Sequence, residues 1–296
     1  MDSTLLDFRD YLEKKKHMAK NSVLAYLRDL DEFRVFIFEK SGARLTEATQ
    51  ADVAAWLLEL KQGDKSAATV NRKLASVRAY YKFTGLEGIM SSNPATQIRT
   101  PKIARKEIEY LSIEEVERLL MQPDRSVKGI RDIAMLELLY ATGLRVSELI
   151  EANVEDINLR MGFVTCSGEH GKARIIPLGR PARAALEEYI YEGRAKLLRK
   201  KSPDERALFL NYYGERMTRQ ALWKILKSYA RQAGIEKKIT PQTLRNSFAV
   251  HMVQNGADLK SLQELLGHED LAATQIYLTI SKNRIKDVYD SSHPRA

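Results

Sequence analysis

Residues 240–277 form the stretch that most restricts how this chain can fold: TPQTLRNSFAVHMVQNGADLKSLQELLGHEDLAATQIY. Several of its residues favour helix ends, either as N-caps or as left-handed stops: Thr240, Asn255, Gly256, Asp258 and Gly267. Pro241 suits the first position of a helix that begins after Thr240. The stretch therefore predicts two separately capped helices and the beginning of a third.

Reactive side chains lie at the ends of these predicted helices. Gln242 and Arg245 are three residues apart on the opening turn of the first helix, so they share a face. His268 follows the end of the second helix, and Tyr277 comes nine residues later. A guanidinium, an imidazole and a phenol in this order suit a phosphate group with a nucleophile beside it.

The charge balance favours a polyanionic partner. Lys and Arg outnumber Asp and Glu by 48 to 39, which gives a net charge of +9.

The single cysteine, Cys166, excludes an intramolecular disulfide and a cysteine metal cluster. The histidines lack metal-ligand spacing, so we expect no metal or other cofactor. Nothing at the N-terminus resembles a signal peptide, and no apolar run approaches the ~20 residues that span a bilayer, so we expect a cytoplasmic protein with no membrane partner.

The chain pattern predicts two domains joined by a linker. Residues 1–86 contain four segments with apolar side chains at helical spacing, the third opening at Thr49 or Asp52 and the fourth at Ser66. Residues 87–106 are rich in Pro, Gly, Ser and basic residues and lack periodicity, which is typical of a linker. Residues 107–296 form the second predicted domain.

The second domain combines helices with a few short strands, so the predicted fold class is mainly α with a small β-sheet. A capping box at Ser112 predicts its first helix, and a buried helix is expected to end at Gly143. Two further helices are predicted at residues 181–199 and 218–232. The expected strands are Val154–Ile157, Phe163–Cys166, Arg174–Leu178 and Leu208–Leu210.

Basic residues accumulate on the fourth helix of the first domain. The candidates for DNA contact are Asn71, Arg72, Lys73 and Arg78. They are expected to face largely outward and to have no acidic residue near them on the helix, which suits contact with a phosphate backbone. Plain solubility explains the same pattern equally well.

A second guanidinium for the phosphate comes from Arg145. Gly143 provides a tight turn before it, and Glu148, three residues on, is placed to hold the arginine. An ordinary ion pair on the surface of a helix is the alternative interpretation.

The whole chain resembles the tyrosine recombinase (phage integrase) family, and within it the bacterial Xer site-specific recombinases. The matching segments are ATGLRVSEL at 141–149, TLRNSF at 243–248, NGADLKSLQELLGHEDL at 255–271, TQIY at 274–277 and the terminal HPRA. The resemblance implies an N-terminal four-helix, SAM-like domain that clamps DNA, and a C-terminal α+β catalytic domain.

The resemblance also implies a mechanism without metal or ATP. Arg145 and Arg245 would neutralise a scissile DNA phosphate, and His268 would donate a hydrogen bond to it. Tyr277 would attack phosphorus to form a 3′-phosphotyrosyl intermediate, and strand exchange would proceed through a Holliday junction. The implied partners are double-stranded DNA and other subunits, in a homo- or hetero-tetramer that includes a possible partner recombinase.

Several positions depart from the family pattern. Gln242 stands where relatives usually have histidine, and it can donate a hydrogen bond but cannot exchange a proton near neutral pH. Glu169 occupies the hairpin position of the usual lysine general acid, which leaves Lys172 as the candidate for that role and His170 as a weaker one. Asn246 replaces another histidine, and we expect this change to matter less.

Two functions are the main candidates, and a topoisomerase-like relaxing activity is a third option because transient nicking uses the same chemistry. The first is a recombinase that serves chromosome dimer resolution or the integration and excision of mobile elements. The alternative is a DNA-binding or accessory protein on the same fold, with catalysis attenuated because Gln242 and Glu169 replace the usual histidine and lysine.

Overall fold

The computed structural model of the protein describes residues 3–99, 107–167, 173–198, 206–268 and 270–278. The chain divides into two units, Met1–Lys106 and Glu107–Ala296. Helices dominate both units and the second one adds a small sheet, which confirms the predicted fold class. None of the helices in the described ranges has the length and apolar character needed to cross a membrane.

The first unit contains the four helices that the sequence predicts. Their bounds are Ser3–Asp10 (α1), Lys20–Ser41 (α2), Gln50–Gln62 (α3) and Ala67–Leu86 (α4). Thr49 caps α3 and Ser66 caps α4, each by accepting a hydrogen bond from a backbone N–H of the first turn. A π-helical turn, Tyr11–Lys15, follows α1 directly.

Aromatic rings fill the core of this unit. Phe8 lies against Tyr80 with ring centroids 5.5 Å apart, and Phe33 lies against Trp56 at 4.8 Å. All four side chains are almost completely buried. The first contact joins α1 to α4 and the second joins α2 to α3, so the rings help to hold all four helices together.

The described residues of the second unit are mostly helical. The helices of this unit are Ile113–Leu120 (α5), Val127–Thr142 (α6), Val146–Glu151 (α7), Arg180–Glu188 (α8), Arg194–Leu197 (α9), Arg219–Gln232 (α10), Pro241–Gln254 (α11) and Leu259–Leu266 (α12). Ser112 caps α5 as predicted, and Gly143 ends α6 in the left-handed conformation with φ of 60°. Residues 272–278 are also helical.

Three antiparallel strands form the sheet, in the order β1-β2-β3. They are Ile157–Asn158 (β1), Phe163–Ser167 (β2) and Ala173–Pro177 (β3). The strand predicted at Val154–Ile157 is largely wrong, because Val154–Asp156 forms a 3₁₀ turn and Asp156 accepts a hydrogen bond from the N–H of Asn153. The strand predicted at Leu208–Leu210 is also wrong, since only isolated bridges occur here, one at Ala207 just before the segment and one at Leu210.

The helix predicted at residues 181–199 is interrupted by a π-helical turn, Tyr189–Gly193, between α8 and α9. A Cβ atom on Gly193 would lie 3.2 Å from Ile130 of α6, so the glycine permits close packing between these helices. The change of helix type at this point is consistent with a backbone that adjusts to that contact.

Two hydrophobic cores support the second unit. The larger one is formed by buried side chains from helices α5 through α10 and from the sheet. The smaller one packs α11 against α12 and includes Phe248, Leu262, Leu266 and Tyr277. Tyr277 is only 4% exposed, so its ring is part of the packing that positions it.

Candidate functional site

Arg145 is the N-cap residue of α7 and is held by Glu148. Its backbone N–H donates to Oε2 of Glu148 at 2.7 Å, and its Nη1 donates to Oε1 at 3.1 Å. Its Nη2 donates to the carbonyl of Gly267, at the end of α12, at 2.8 Å. The side chain is 30% exposed, so it retains access to a ligand while the two bonds from its guanidinium fix its direction.

Arg174 is a site residue that the sequence reasoning missed. It donates to both carboxylate oxygens of Glu148, at 2.7 and 2.8 Å, and its Nε donates to the carbonyl of Leu265 at 2.8 Å. Burial would raise the pKa of Glu148, but the hydrogen bonds from Arg174 and Arg145 outweigh this effect and lower it. The signal in the sequence was strand alternation, which places Arg174 on the same face of β3 as the buried Ile176.

Arg245 is buried on α11 with 3% exposure. It donates to the carbonyl of Gly143, to the carbonyl of Leu266 at 2.7 Å, and to Nε2 of His268 at 3.0 Å. Burial and the nearby charge of Arg145 lower its pKa to about 10, so it remains charged at neutral pH. The carbonyls that it binds lie where α6 and α12 end, so the guanidinium also satisfies helix ends.

His268 is neutral in this arrangement. Burial, followed by the charges of Arg245 and Arg145, lowers its pKa to about 4. Since a guanidinium can only donate, Nε2 of His268 is the acceptor of the bond from Arg245, and the ring proton is on Nδ1. Nδ1 lies 2.9 Å from Oγ1 of the buried Thr274, to which it donates.

Tyr277 contacts α11 through its hydroxyl group. The hydroxyl donates to Oδ1 of Asn246 at 3.2 Å, and Nε2 of Gln242 donates to the same oxygen at 3.0 Å. Burial raises the pKa of Tyr277, although the charge of Arg245 opposes this effect. The phenol is therefore protonated in the DNA-free protein.

The predicted site residues gather around a cavity of about 330 Å³. Arg145, Gln242, Arg245 and His268 all line it, together with Arg219 at the start of α10. Tyr277 is not among the lining residues and packs beside the cavity instead. The concentration of guanidinium groups makes the cavity suitable for a phosphate.

The structure does not describe the predicted proton donor to the leaving oxygen. Lys172 falls outside the described residues, as do Glu169 and His170. No group of three or more His, Cys, Asp or Glu side chains that could hold a metal ion occurs within the described ranges.

Lys73, in the first unit, does not face outward as the sequence predicted. It is 3% exposed, and its Nζ donates to Asp29 at 3.1 Å and also to Glu32. The sequence of α4 contains no acidic residue, as expected, but Lys73 has acidic partners on another helix. The acidic partners come from α2, more than forty positions earlier in the chain, so helical spacing could not reveal them.

Arg72, Arg78 and Asn71 complete the candidate DNA contacts on α4. Arg72 donates to Asp29 but its side chain is 44% exposed. Arg78 donates to the carbonyls of Ala95 and Ile98, and Asn71 is partly buried. Among the four candidates, Arg72 therefore combines a guanidinium held by an ion pair with a side chain that is exposed to solvent.

Comparisons with known proteins agree with this geometry. The phage integrase family profile matches residues 109–284, and the profile of the phage integrase N-terminal SAM-like domain matches residues 5–88. Tyrosine recombinase XerD of Oceanobacillus iheyensis is 45% identical over 297 residues, with all of both chains covered. Tyrosine recombinase XerD of Listeria monocytogenes is also 45% identical, again with full coverage of both chains.

Solved structures share the fold. The post-cleavage complex of XerH site-specific recombinase with palindromic difH substrate gives a TM-score of 0.74 at 21% identity, covering 97% of this chain and 95% of that one. A lambda integrase dimer bound to a COC′ core site gives a TM-score of 0.73 at 18% identity, covering 94% of this chain and 94% of that one. The two profiles and the full-length relatives show that the chain belongs to the phage integrase family, as a site-specific tyrosine recombinase.

Proposed function

We propose that this recombinase cleaves and rejoins DNA strands through a covalent bond between Tyr277 and a 3′-phosphate. The observation that carries the proposal is the cavity in which Arg145, Arg245 and His268 converge, with the Tyr277 side chain packed beside it. Two fixed guanidinium groups suit the nonbridging oxygens of a phosphodiester and the charge that develops on them in the transition state.

In the cleavage step, Oη of Tyr277 forms a bond to phosphorus while the bond from phosphorus to the 5′ oxygen breaks. Tyr277 loses a proton and the leaving 5′ oxygen gains one, so the step is neutral in protons overall. The phosphotyrosyl ester conserves the bond energy, and attack by another 5′ hydroxyl reverses the reaction on a new strand. Lys172 is the proposed donor to the leaving oxygen, with His170 as the weaker candidate.

Gln242 and His268 are the proposed hydrogen-bond donors to the phosphate besides the two arginines. Gln242 lines the cavity and retains a second N–H besides the one that it donates to Asn246. His268 must change the direction in which its ring donates, because Nε2 accepts from Arg245 in the DNA-free protein. A bound phosphate would supply the acceptor that turns Nε2 into a donor.

The proposed partners are double-stranded DNA and further recombinase subunits. The XerH and lambda integrase structures are complexes with DNA, which supports a DNA substrate for this chain. We propose a homo- or hetero-tetramer that exchanges strands through a Holliday junction, in the cytoplasm. The full-length similarity to XerD proteins favours chromosome dimer resolution over mobile-element transfer as the cellular role.

Residues 1–86 are the proposed DNA clamp, joined through residues 87–106 to the catalytic domain at 107–296. Arg72 is its proposed phosphate contact, because Asp29 directs a guanidinium that is still partly exposed. Lys73 has a supporting role in this proposal, since its ammonium group is occupied by Asp29 and Glu32.

A nicked suicide substrate tests the function. A strand interruption beside the cleavage point lets the short released fragment diffuse away, so the covalent complex accumulates and can be seen by denaturing electrophoresis. We expect Tyr277→Phe to abolish this complex and to bind the same DNA as tightly as the parent chain. Tight binding of the cognate site by the unaltered protein with no covalent species would contradict the proposal.

A further inference from the structure

Asn246 lies between the phosphate cavity and the side chain of Tyr277. Its Oδ1 accepts from the Tyr277 hydroxyl at 3.2 Å and from Nε2 of Gln242 at 3.0 Å. Gln242 lines the cavity, whereas Tyr277 does not. Among the described residues, the side chain of Asn246 is therefore the polar link from the cavity to the nucleophile.

The orientation of the Asn246 amide is determined by its other end. Nδ2 donates to the carbonyl of Glu109 at 3.0 Å, and a carbonyl can only accept. The amide nitrogen must consequently face Glu109, which leaves Oδ1 directed at Gln242 and Tyr277. Both ends of the amide are engaged. If the Asn246 amide were flipped, its NH2 group would face the NH2 group of Gln242, and the bond to the carbonyl of Glu109 would be lost.

Asn246 follows Arg245 directly on α11, so one helix carries both the phosphate ligand and the contact to the nucleophile. Arg245 is buried and bonded to the ends of α6 and α12, which makes this part of α11 a fixed reference point. Tyr277 comes from the separate helical residues 272–278. A bond from Asn246 to Tyr277 therefore sets the position of the attacking oxygen relative to the bound phosphate.

We infer that Asn246 is the positioning residue for the nucleophile in strand cleavage. It fixes the Tyr277 hydroxyl by accepting its hydrogen bond, and Gln242 supports the acceptor. The inference rests on the proposed phosphotyrosyl mechanism and adds a residue to it. An amide oxygen accepts a hydrogen bond but is too weakly basic to take the proton, so the role of Asn246 is orientation and not general base catalysis.

Three substitutions separate positioning from packing. Asn246→Leu keeps the approximate volume and removes the acceptor, whereas Asn246→His restores a ring nitrogen that can accept. Asn255→Ala removes an asparagine just past the other end of α11, where it is exposed and remote from the hydroxyl, and serves as the matched control.

The measurement is the single-turnover rate of covalent complex formation on the nicked suicide substrate at saturating protein, alongside the Kd for the intact site. We expect Asn246→Leu to slow cleavage by about 10- to 100-fold, the cost of misplacing a reacting atom, with Kd unchanged within about twofold. Asn246→His should recover most of the rate, and Asn255→Ala should match the parent chain. Unchanged DNA affinity shows that the leucine variant is folded.

Several outcomes would overturn the inference. A leucine variant that cleaves at the parental rate or faster would show that the bond does not position the nucleophile. A histidine variant as slow as the leucine variant would assign the effect to packing. Failure of the parent chain to form any covalent complex is a different result, because it removes the proposed mechanism and this inference with it.

Discussion

Glu148 accepts a hydrogen bond from Arg174 on each of its carboxylate oxygens, at 2.7 and 2.8 Å. The same carboxylate accepts from the backbone and side chain of Arg145, which makes it the shared anchor of both guanidinium groups. The interpretation of Arg145 and Glu148 as a simple surface pair is therefore wrong, since the Glu148 side chain is 8% exposed.

Glu148→Gln should weaken folding and cleavage together. Removing one partner of a largely buried charge pair costs about 3 kcal/mol in the free energy of unfolding, which urea denaturation would measure. Cleavage should also fall, because Arg145 loses its fixed direction. Glu155→Gln is the matched control, because Glu155 is 64% exposed and lies 3.9 Å from Arg206. Equal effects of the two substitutions would contradict the prediction.

His268 should take up a proton from the solvent when DNA binds. Its pKa of about 4 in the DNA-free protein keeps the ring neutral, whereas a phosphate anion stabilises the imidazolium form and raises the pKa. Binding should therefore take up a proton between about pH 4 and the raised pKa, and affinity should increase as the pH falls through that window. Calorimetry at about pH 6 in buffers of different ionisation enthalpy measures the uptake. His268→Asn should abolish it, and uptake that persists would assign the proton to another group.

Gly143→Ala should destabilise the second unit strongly. Gly143 has φ of 60°, and an added Cβ would lie 2.5 Å from the ring of Phe248, on the helix that carries Arg245. Gly234 has φ of 64° with nothing within 4 Å, so Gly234→Ala isolates the cost of the backbone conformation. We expect about 1 kcal/mol for Gly234→Ala and about 2 kcal/mol more for Gly143→Ala in chemical denaturation. Equal costs would show that the Phe248 ring moves aside freely.

Arg72 and Lys73 should differ in their effect on DNA affinity. Arg72→Ala should lower affinity and reduce the slope of log K against log salt by about 1, as expected for one lost phosphate contact. Lys73→Met should leave the slope unchanged, because its ammonium is buried against Asp29 and Glu32. Titrations at several salt concentrations measure both slopes. A reduced slope for Lys73→Met would mean that the lysine leaves its buried position on DNA.

Local signals in the sequence predicted the helix ends well. Thr49, Ser66, Ser112 and Thr240 cap helices as expected, because a capping side chain bonds a backbone group only two or three residues away. The short strand predicted at Leu208–Leu210 failed for the opposite reason. The backbone beside it pairs with Asn153, far earlier in the chain, and with the nearby Arg216, and an apolar run specifies neither partner.

Contacts between distant segments account for what the sequence could not reveal at the site. Spacing and the family resemblance identified Arg145, Arg245 and His268, which the structure brings together around one cavity. The partners of Asn246 are a backbone carbonyl at Glu109 and a hydroxyl at Tyr277, separated from it by 137 and 31 positions. The expectation that Asn246 matters little reflected the residue type alone, and the fold supplies its context.

Arg145 and Arg245 donate to the carbonyls of Gly143, Leu266 and Gly267. These bonds affect which residues evolution retains once cleavage is no longer selected. Both guanidinium groups stabilise the ends of helices, so selection for a folded chain preserves them even after selection for cleavage has ceased. Tyr277→Phe would cost such a chain little. In lineages that abandon recombination but keep the protein, the phenol hydroxyl should be lost before either arginine.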